Sequence, residues 1–270
     1  IGHSPLSNDP LFTASGTTDS GVPFLRMYEY ERIREAEYQM DFWLEEKSRS
    51  LNCRMRIVNH TDQVIPMYWW SNMAVPEYPS GQIIVPAATA YTCKNWEVYK
   101  VNVPEVDGNN IFHYESIPDQ IDYFFDIPYE CPKYIANVNK DGYGLLQTST
   151  QRLRARKLFS WGHNEGSDRW QHFLTEDAGP YIEIQAGLGK TQYGCLPMAP
   201  HTAWEWLEQY GPVQLPQTTS SQDNCQYIEQ HVSSEELERL LQTSASFAHQ
   251  KAAVVSSGST HGAMRNLEAT

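Results

Sequence analysis

The chain has 270 residues, 40% of them apolar, and a net charge of −13 from 33 acidic against 20 basic side chains. That acidic balance repels phosphate backbones and excludes non-specific nucleic-acid binding. No apolar run approaches the roughly 20 residues that span a bilayer, so a soluble globular protein with a large core is predicted, acting without a membrane.

The first residues, Ile1-Gly2-His3-Ser4-Pro5, hold neither an initiator Met nor a basic-then-apolar leader, and predict a fragment excised from a longer protein. Five cysteines (Cys53, Cys93, Cys131, Cys195 and Cys225) are scattered without CxxC spacing. Such a set favours reduced thiols in a cytoplasmic protein over a disulfide framework or a zinc site.

In chain order, Tyr38 to Lys47 and Leu51 to Val58 read as strands around a turn at Ser48-Arg49-Ser50. In the second run Leu51, Cys53, Met55 and Ile57 alternate with Asn52, Arg54 and Arg56, which predicts a half-buried antiparallel strand. Asn59-His60-Thr61-Asp62 reads as a turn into the aromatic stretch Val64 to Trp70. Further short runs follow at Gln82 to Pro86, Glu97 to Val103, Tyr143 to Thr148, Arg154 to Trp161 and Tyr181 to Ala186. Turn-formers separate them, as at Asp107-Gly108-Asn109-Asn110 and Asp177-Ala178-Gly179-Pro180. Many closely spaced strands with almost no helix signal predict a mainly β fold, a large sandwich.

After Gly211-Pro212 the composition changes. Gln214 to Asn224 is rich in Gln, Ser and Thr and reads as a linker. Ser233 and Glu236 form a capping box that opens a helix bearing Leu237, Leu240 and Leu241, with nothing obvious to bury it against. The expected organisation is a β domain over residues 1–212, a linker over 213–231, and the start of a helical region over 232–270.

The residues that carry chemistry lie in three places. Along Tyr181-Ile182-Glu183-Ile184-Gln185, alternation puts Glu183 and Gln185 on one face with Tyr181, and Ile182, Ile184 and Ala186 on the other. A carboxylate beside an amide on a rigid strand, with aromatic neighbours, suits sugar hydroxyls and the apolar face of a pyranose. Met67 to Val75 is the densest aromatic stretch, from which Trp70 and Asn72 are candidates to line a groove. Trp161 to Gln171 reads as a polar binding loop bracketed by Trp161 and Trp170, with His163 and Arg169 between them. Arg152-Leu153-Arg154-Ala155-Arg156-Lys157 reads as the wet face of a strand.

Three other signatures fail. Gly187-Leu188-Gly189-Lys190-Thr191 lacks the first glycine of a phosphate-binding loop, no Gly-x-Ser-x-Gly elbow occurs, and the nine histidines show no HExxH or comparable spacing. No metal or cofactor is expected.

Tyr68-Trp69-Trp70-Ser71-Asn72, the Trp161 to Trp170 segment, Gly179 to Gly187 and Thr202 to Pro212, in that order, resemble an uncharacterised bacterial domain family related to galactose mutarotases. Members of that family often carry tetratricopeptide-type helical repeats afterwards. The resemblance covers roughly residues 1–212. It implies a galactose-mutarotase-like β-supersandwich with a sugar groove, and a parent protein whose helical repeats begin near Ser233. In aldose 1-epimerases a Glu on a late strand removes the anomeric hydroxyl proton while a central His protonates the ring oxygen. Glu183 falls where that Glu would be. No His stands in the Tyr68 to Asn72 stretch, so His163 or His60 would have to be brought close.

Two functions follow from different classes. The first is a carbohydrate-binding domain of a larger protein, with Glu183, Gln185, Trp70, Asn72, Trp161, His163, Arg169 and Trp170 lining the groove. The second is a carbohydrate-active enzyme, an epimerase or a glycosidase, with Glu183 as base or acid and Asp168, Glu165 or Glu176 as possible partners. A protein-interaction scaffold with a vestigial groove is a third.

Overall fold

A computed structural model describes residues 9–216 and 221–260. In chain order the strands are β1 (Phe12–Thr17), β2 (Pro23–Glu31), β3 (Ala36–Trp43), β4 (Leu51–Asn59), β5 (Ile65–Met67), β6 (Trp70–Pro76), β7 (Gln82–Ile84), β8 (Thr89–Lys94) and β9 (Glu97–Asn102). Then come β10 (Glu105–Val106), β11 (Asn109–Asn110), β12 (Ile121–Phe125), β13 (Lys133–Val138), β14 (Tyr143–Ser149) and β15 (Ala155–Ser160). Helix α1 (Glu165–Thr175) precedes β16 (Tyr181–Gly187), β17 (Leu196–Met198) and β18 (Thr202–Gln214). Helices α2 (Ser221–His231) and α3 (Ser234–Ala248) and strand β19 (Ala253–Ser256) complete the described chain.

Two compact units share these elements. One gathers the described residues of Ile1–Tyr68, Gln192–Tyr210 and Glu235–Thr270, the other those of Trp69–Thr191 and Gly211–Ser234. In the first unit β19, β1, β2, β3, β4 and β18 follow one another in an antiparallel sheet. Cys53, Met55 and Ile57 of β4 are buried as the alternation predicts, but Asn52 and Arg54 on its other face are buried too. The cover is α3. Arg54 donates to Ser244 Oγ at 3.0 Å and to the Leu241 carbonyl, and ion-pairs with Glu205 at 2.6 Å. The face expected to be wet is therefore the bed on which the capped helix lies. Phe247 completes the contact by stacking on Phe24 and meeting Trp43 edge-on.

In the second unit, β6, β16, β15, β12, β8 and β9 form an antiparallel six-stranded sheet, and β14, β13 and β7 lie side by side in another. A core of Val75, Ile83, Ile135, Leu158, Ile182 and Ile184, with Phe112, Tyr123 and Phe125, takes one face of the six-stranded sheet. A second cluster joins Tyr134, Ala136 and Val138 of β13 to Val213, Leu215 and Ile228. Leu215 is buried and α2 begins at Ser221, so the stretch read as linker is structured at both ends; its residues 217–220 lie outside the described residues. The first and last residues of the predicted helical region differ similarly. Ser234 opens α3, Ala253–Ser256 pair with β1, and residues 261–270 lie outside the described residues.

Candidate functional site

The alternation of β16 holds in the structure. Ile182, Ile184 and Ala186 are fully buried, while Glu183 is half-buried on the opposite face. Residues directly opposed across antiparallel strands point to the same side of a sheet, so the pairing itself defines what shares that face with Glu183. One row runs Asn72, Gln185, Lys157, Phe124 and Tyr91, and its neighbour runs Ala74, Glu183, Phe159 and Asp122. Trp70 opposes Gly187 beyond the first row, and Tyr181 opposes Pro76 beyond the second.

Glu183 is held by its neighbours. Asn72 Nδ2 and Gln185 Nε2 both donate to its Oε2, each at 2.8 Å, so neither engages Oε1. Gln185 is buried, which fixes the second donor. Beside them Lys157 Nζ ion-pairs with Asp122 Oδ1 at 2.7 Å and lies 5.3 Å and 5.6 Å from the ring centres of Phe124 and Phe159. Trp70 meets Phe124 edge-on, and Trp161 meets Phe159 and Tyr181 in the same manner. The face thus combines carboxylates, amides, an ammonium and five aromatic rings, with Gln185, Lys157 and Phe124 buried in it and Glu183, Phe159 and Asp122 partly exposed.

The basic run around Arg156 does not form a wet face. Arg152 and Arg154 are exposed, but β15 is an internal strand, so Arg156 and Lys157 are both buried. Arg156 spends its guanidinium on the carbonyls of Leu153, Ala155 and Lys133 and on Ser149 Oγ. Lys157 takes the opposite side, with Glu183. Sequence reasoning missed Lys157 and Asp122. The available signal was a lysine followed directly by Leu158 and Phe159 in a strand too apolar to lie at an edge.

The segment from Trp161 to Gln171 is a helix and its entry, not an extended loop. Asn164 caps it by accepting from Ser167 N at 2.9 Å, and Glu165 and Asp168 complement the helix dipole in the first turn. His163 Nε2 stands 2.9 Å from Glu77 Oε1. Burial pushes the Glu77 carboxyl up from its ordinary range, against the opposing pull of His163 and Gln171. Gln171, itself buried, also accepts from Tyr181 N at 3.0 Å and so ties α1 to the start of β16. Arg169 pairs with Glu165 on the exposed side of α1, and Trp170 is 56% exposed against Phe173. Asp168, Glu165 and Glu176 are exposed, and His60 lies in the other unit, paired with Glu37.

At the far end of the face, Asp126 receives Lys100 Nζ at 2.9 Å and Lys190 Nζ at 3.2 Å. Burial pushes this carboxyl up, the two ammoniums outweigh it, and the group sits below its ordinary value. Among the described residues no three His, Cys, Asp or Glu side chains group as metal ligands, all five cysteines are free thiols, and no helix is long and apolar enough to cross a membrane.

The sequence matches the family model of a domain of unknown function, DUF5107, over residues 1–205. Among solved structures, a TPR-domain containing protein from Parabacteroides distasonis superposes with a TM-score of 0.69 at 24% identity, over 80% of this chain and 36% of that one. A candidate aldose 1-epimerase from Escherichia coli K12 gives 0.54 at 10% identity, over 75% and 69% of the two chains. A galactose mutarotase-like protein from Clostridium acetobutylicum gives 0.52 at 10% identity, over 76% and 67%. This chain therefore spans about a third of the length of the Parabacteroides protein. The fold is mainly β and galactose mutarotase-like, with a C-terminal helix.

Proposed function

The chain belongs to the DUF5107 family, and on that premise we propose that it recognises carbohydrate on the Glu183 face of the six-stranded sheet. The observation that supports this reading most directly is the convergence of Asn72 and Gln185 on one oxygen of Glu183. Oε2 is oriented by two amide donors, and Oε1 is the acceptor for a sugar hydroxyl. Trp70 and Trp161 stack on the apolar face of the ring. His163, Arg169 and Trp170 flank the ligand from the entry and exposed side of α1, Arg169 as a fork donor. The five free thiols fit a reducing, cytoplasmic setting, and helical repeats of the kind named in the Parabacteroides neighbour would be the partner within a longer protein.

One observation favours catalysis as a second reading. Glu183 and Asp122 lie in the same row two strands apart, so their Cα atoms are about 10 Å from each other at ~4.8 Å per strand. That backbone spacing is of the order of the roughly 6.5–9.5 Å between the carboxyls of an inverting glycosidase.

The test is titration with a glycan panel read by tryptophan fluorescence, each hit then screened for product by chromatography. Recognition predicts saturable binding without product and at least about tenfold weaker binding in Glu183→Gln. Product formed by the wild type and abolished in both Glu183→Gln and Asp122→Asn would establish the enzyme instead. No binding anywhere in the panel would overturn both.

A further inference from the structure

The row that starts at Asn72 does not end at Lys157. It continues through Phe124 to Tyr91, which opposes Lys100 on β9. There the Lys100 and Lys190 ammoniums lie 5.5 Å and 5.7 Å from the Tyr91 ring centre and share the single carboxylate of Asp126. Lys190 arrives from the glycine-rich turn after β16 that failed as a phosphate loop, so two separate segments deliver a cation to one spot. Asp126 is largely buried while both lysine side chains are about half exposed. One carboxylate cannot neutralise two ammoniums. The cluster holds an excess of one positive charge, in a chain whose net charge is −13.

From the pairing we infer that the Glu183 face takes an acidic oligosaccharide, with an anionic substituent held over Tyr91 between Lys100 and Lys190. This rests on the carbohydrate reading above and specifies its substrate class. One surplus charge matches a singly charged group, a uronate carboxylate or a sulfate ester, better than a phosphate dianion. The span sets a minimum length. β16 and β8 are three strands apart, so a ligand reaching from Glu183 past the partly exposed Phe159 and Asp122 to Tyr91 covers at least about 14 Å at ~4.8 Å per strand, further than one pyranose reaches. Tyr91 supplies the flat surface beneath the sugar that carries the charge.

The experiment uses the whole chain and two matched probe pairs: tetragalacturonate against its full methyl ester, and a sulfated neocarratetraose against its desulfated form. Binding is followed by tryptophan fluorescence at low and at 0.5 M salt. The expected result is that the anionic member of at least one pair binds about tenfold tighter at low salt, with the preference fading as salt screens it. Which pair responds names the source of the charge. In the Lys100→Gln/Lys190→Gln variant that preference disappears while the neutral member keeps its affinity. Equal binding of anionic and neutral members overturns the inference and leaves carbohydrate recognition standing. Binding of no member overturns both, and an anionic preference that survives in the double variant places the charge site elsewhere.

Discussion

Trp70 lies directly across Gly187, its partner in the β6–β16 pairing, and a Cβ at Gly187 would come within 2.3 Å of the indole. Glycine is required there because the ring covers the backbone of the strand that carries Glu183 four residues away. Gly187→Ala forces Trp70 out of its contact with Phe124, and overpacking of this kind costs about 1–3 kcal/mol. The expected outcome is a lowered urea midpoint with an unchanged m-value and a shifted tryptophan emission. An unaltered spectrum would mean that Trp70 does not rest on Gly187.

The pairing of Lys157 with Asp122 is the second arrangement to probe. Lys157 is buried and Asp122 partly exposed, so solvent screens one end of the pair. A double-mutant cycle with Lys157→Met and Asp122→Asn should return a coupling of about 1 kcal/mol in chemical denaturation. Each single variant should cost more at low salt than at high. A coupling near zero would leave the Phe124 and Phe159 rings as what holds the Lys157 stem.

These two pairs show what the sequence disclosed and what it concealed. The two-residue period of Tyr181 to Ala186 is local, so the division between Glu183 with Gln185 and Ile182 with Ile184 was legible along the strand. The burial of Lys157 was not, because it depends on β12 and β16 flanking β15 from distant parts of the chain. Arg54 misled for a similar reason. It belongs to a strand whose second face is covered by α3, about 190 residues away in sequence. Helix α1 escaped notice because Trp170, Phe173 and Leu174 remain exposed, so its apolar residues do not mark a buried stripe. Its signal was the Asn164 cap with acidic residues behind it.

The Glu77–His163 pair makes a prediction about pH. Burial raises the Glu77 carboxyl, so the folded state holds its proton to higher pH than the unfolded chain does. The stability linked to that proton is complete below the ordinary carboxylate value of 4.5 and is lost as pH rises through the raised value. Glu77→Gln keeps an acceptor for His163 and Gln171 but cannot ionise. Urea midpoints measured from pH 4 to 7 should therefore shift in favour of Glu77→Gln, relative to wild type, as pH rises. A constant difference across that range would mean that Glu77 does not bind its proton more tightly in the folded state.

The docking of α3 rests on Arg26, and its loss should be severe. Arg26 donates to Asp41 at 2.6 Å, to the Gln250 carbonyl at 2.6 Å, and to the Phe247 and Ala248 carbonyls at 3.1 Å and 3.2 Å. Phe247 and Ala248 are the last residues of the helix, and their carbonyls are shared with Gln250 N and Gln39 Nε2, so one buried guanidinium helps to cap α3 and also neutralises a buried carboxylate. Arg26→Met removes both services and leaves Asp41 with the Gln39 amide but no ion-pair partner, which costs about 3–5 kcal/mol. Burial already raises the Asp41 carboxyl despite Arg26, and without the guanidinium it rises further. The variant is then least stable at neutral pH and recovers part of the loss as acid protonates Asp41. Arg26→Met/Asp41→Leu removes the orphaned charge and should restore part of the neutral-pH loss, while the hydrogen bonds lost from Arg26 to the carbonyls keep it below wild type. Hydrogen exchange distinguishes the two contributions: amides of residues 244–248 should lose protection in both variants, whereas the pH dependence should vanish only in the double one. If Arg26→Met leaves exchange at α3 unchanged, the helix is held by its other contacts, those of Phe247, Arg54 and Gln39 among them.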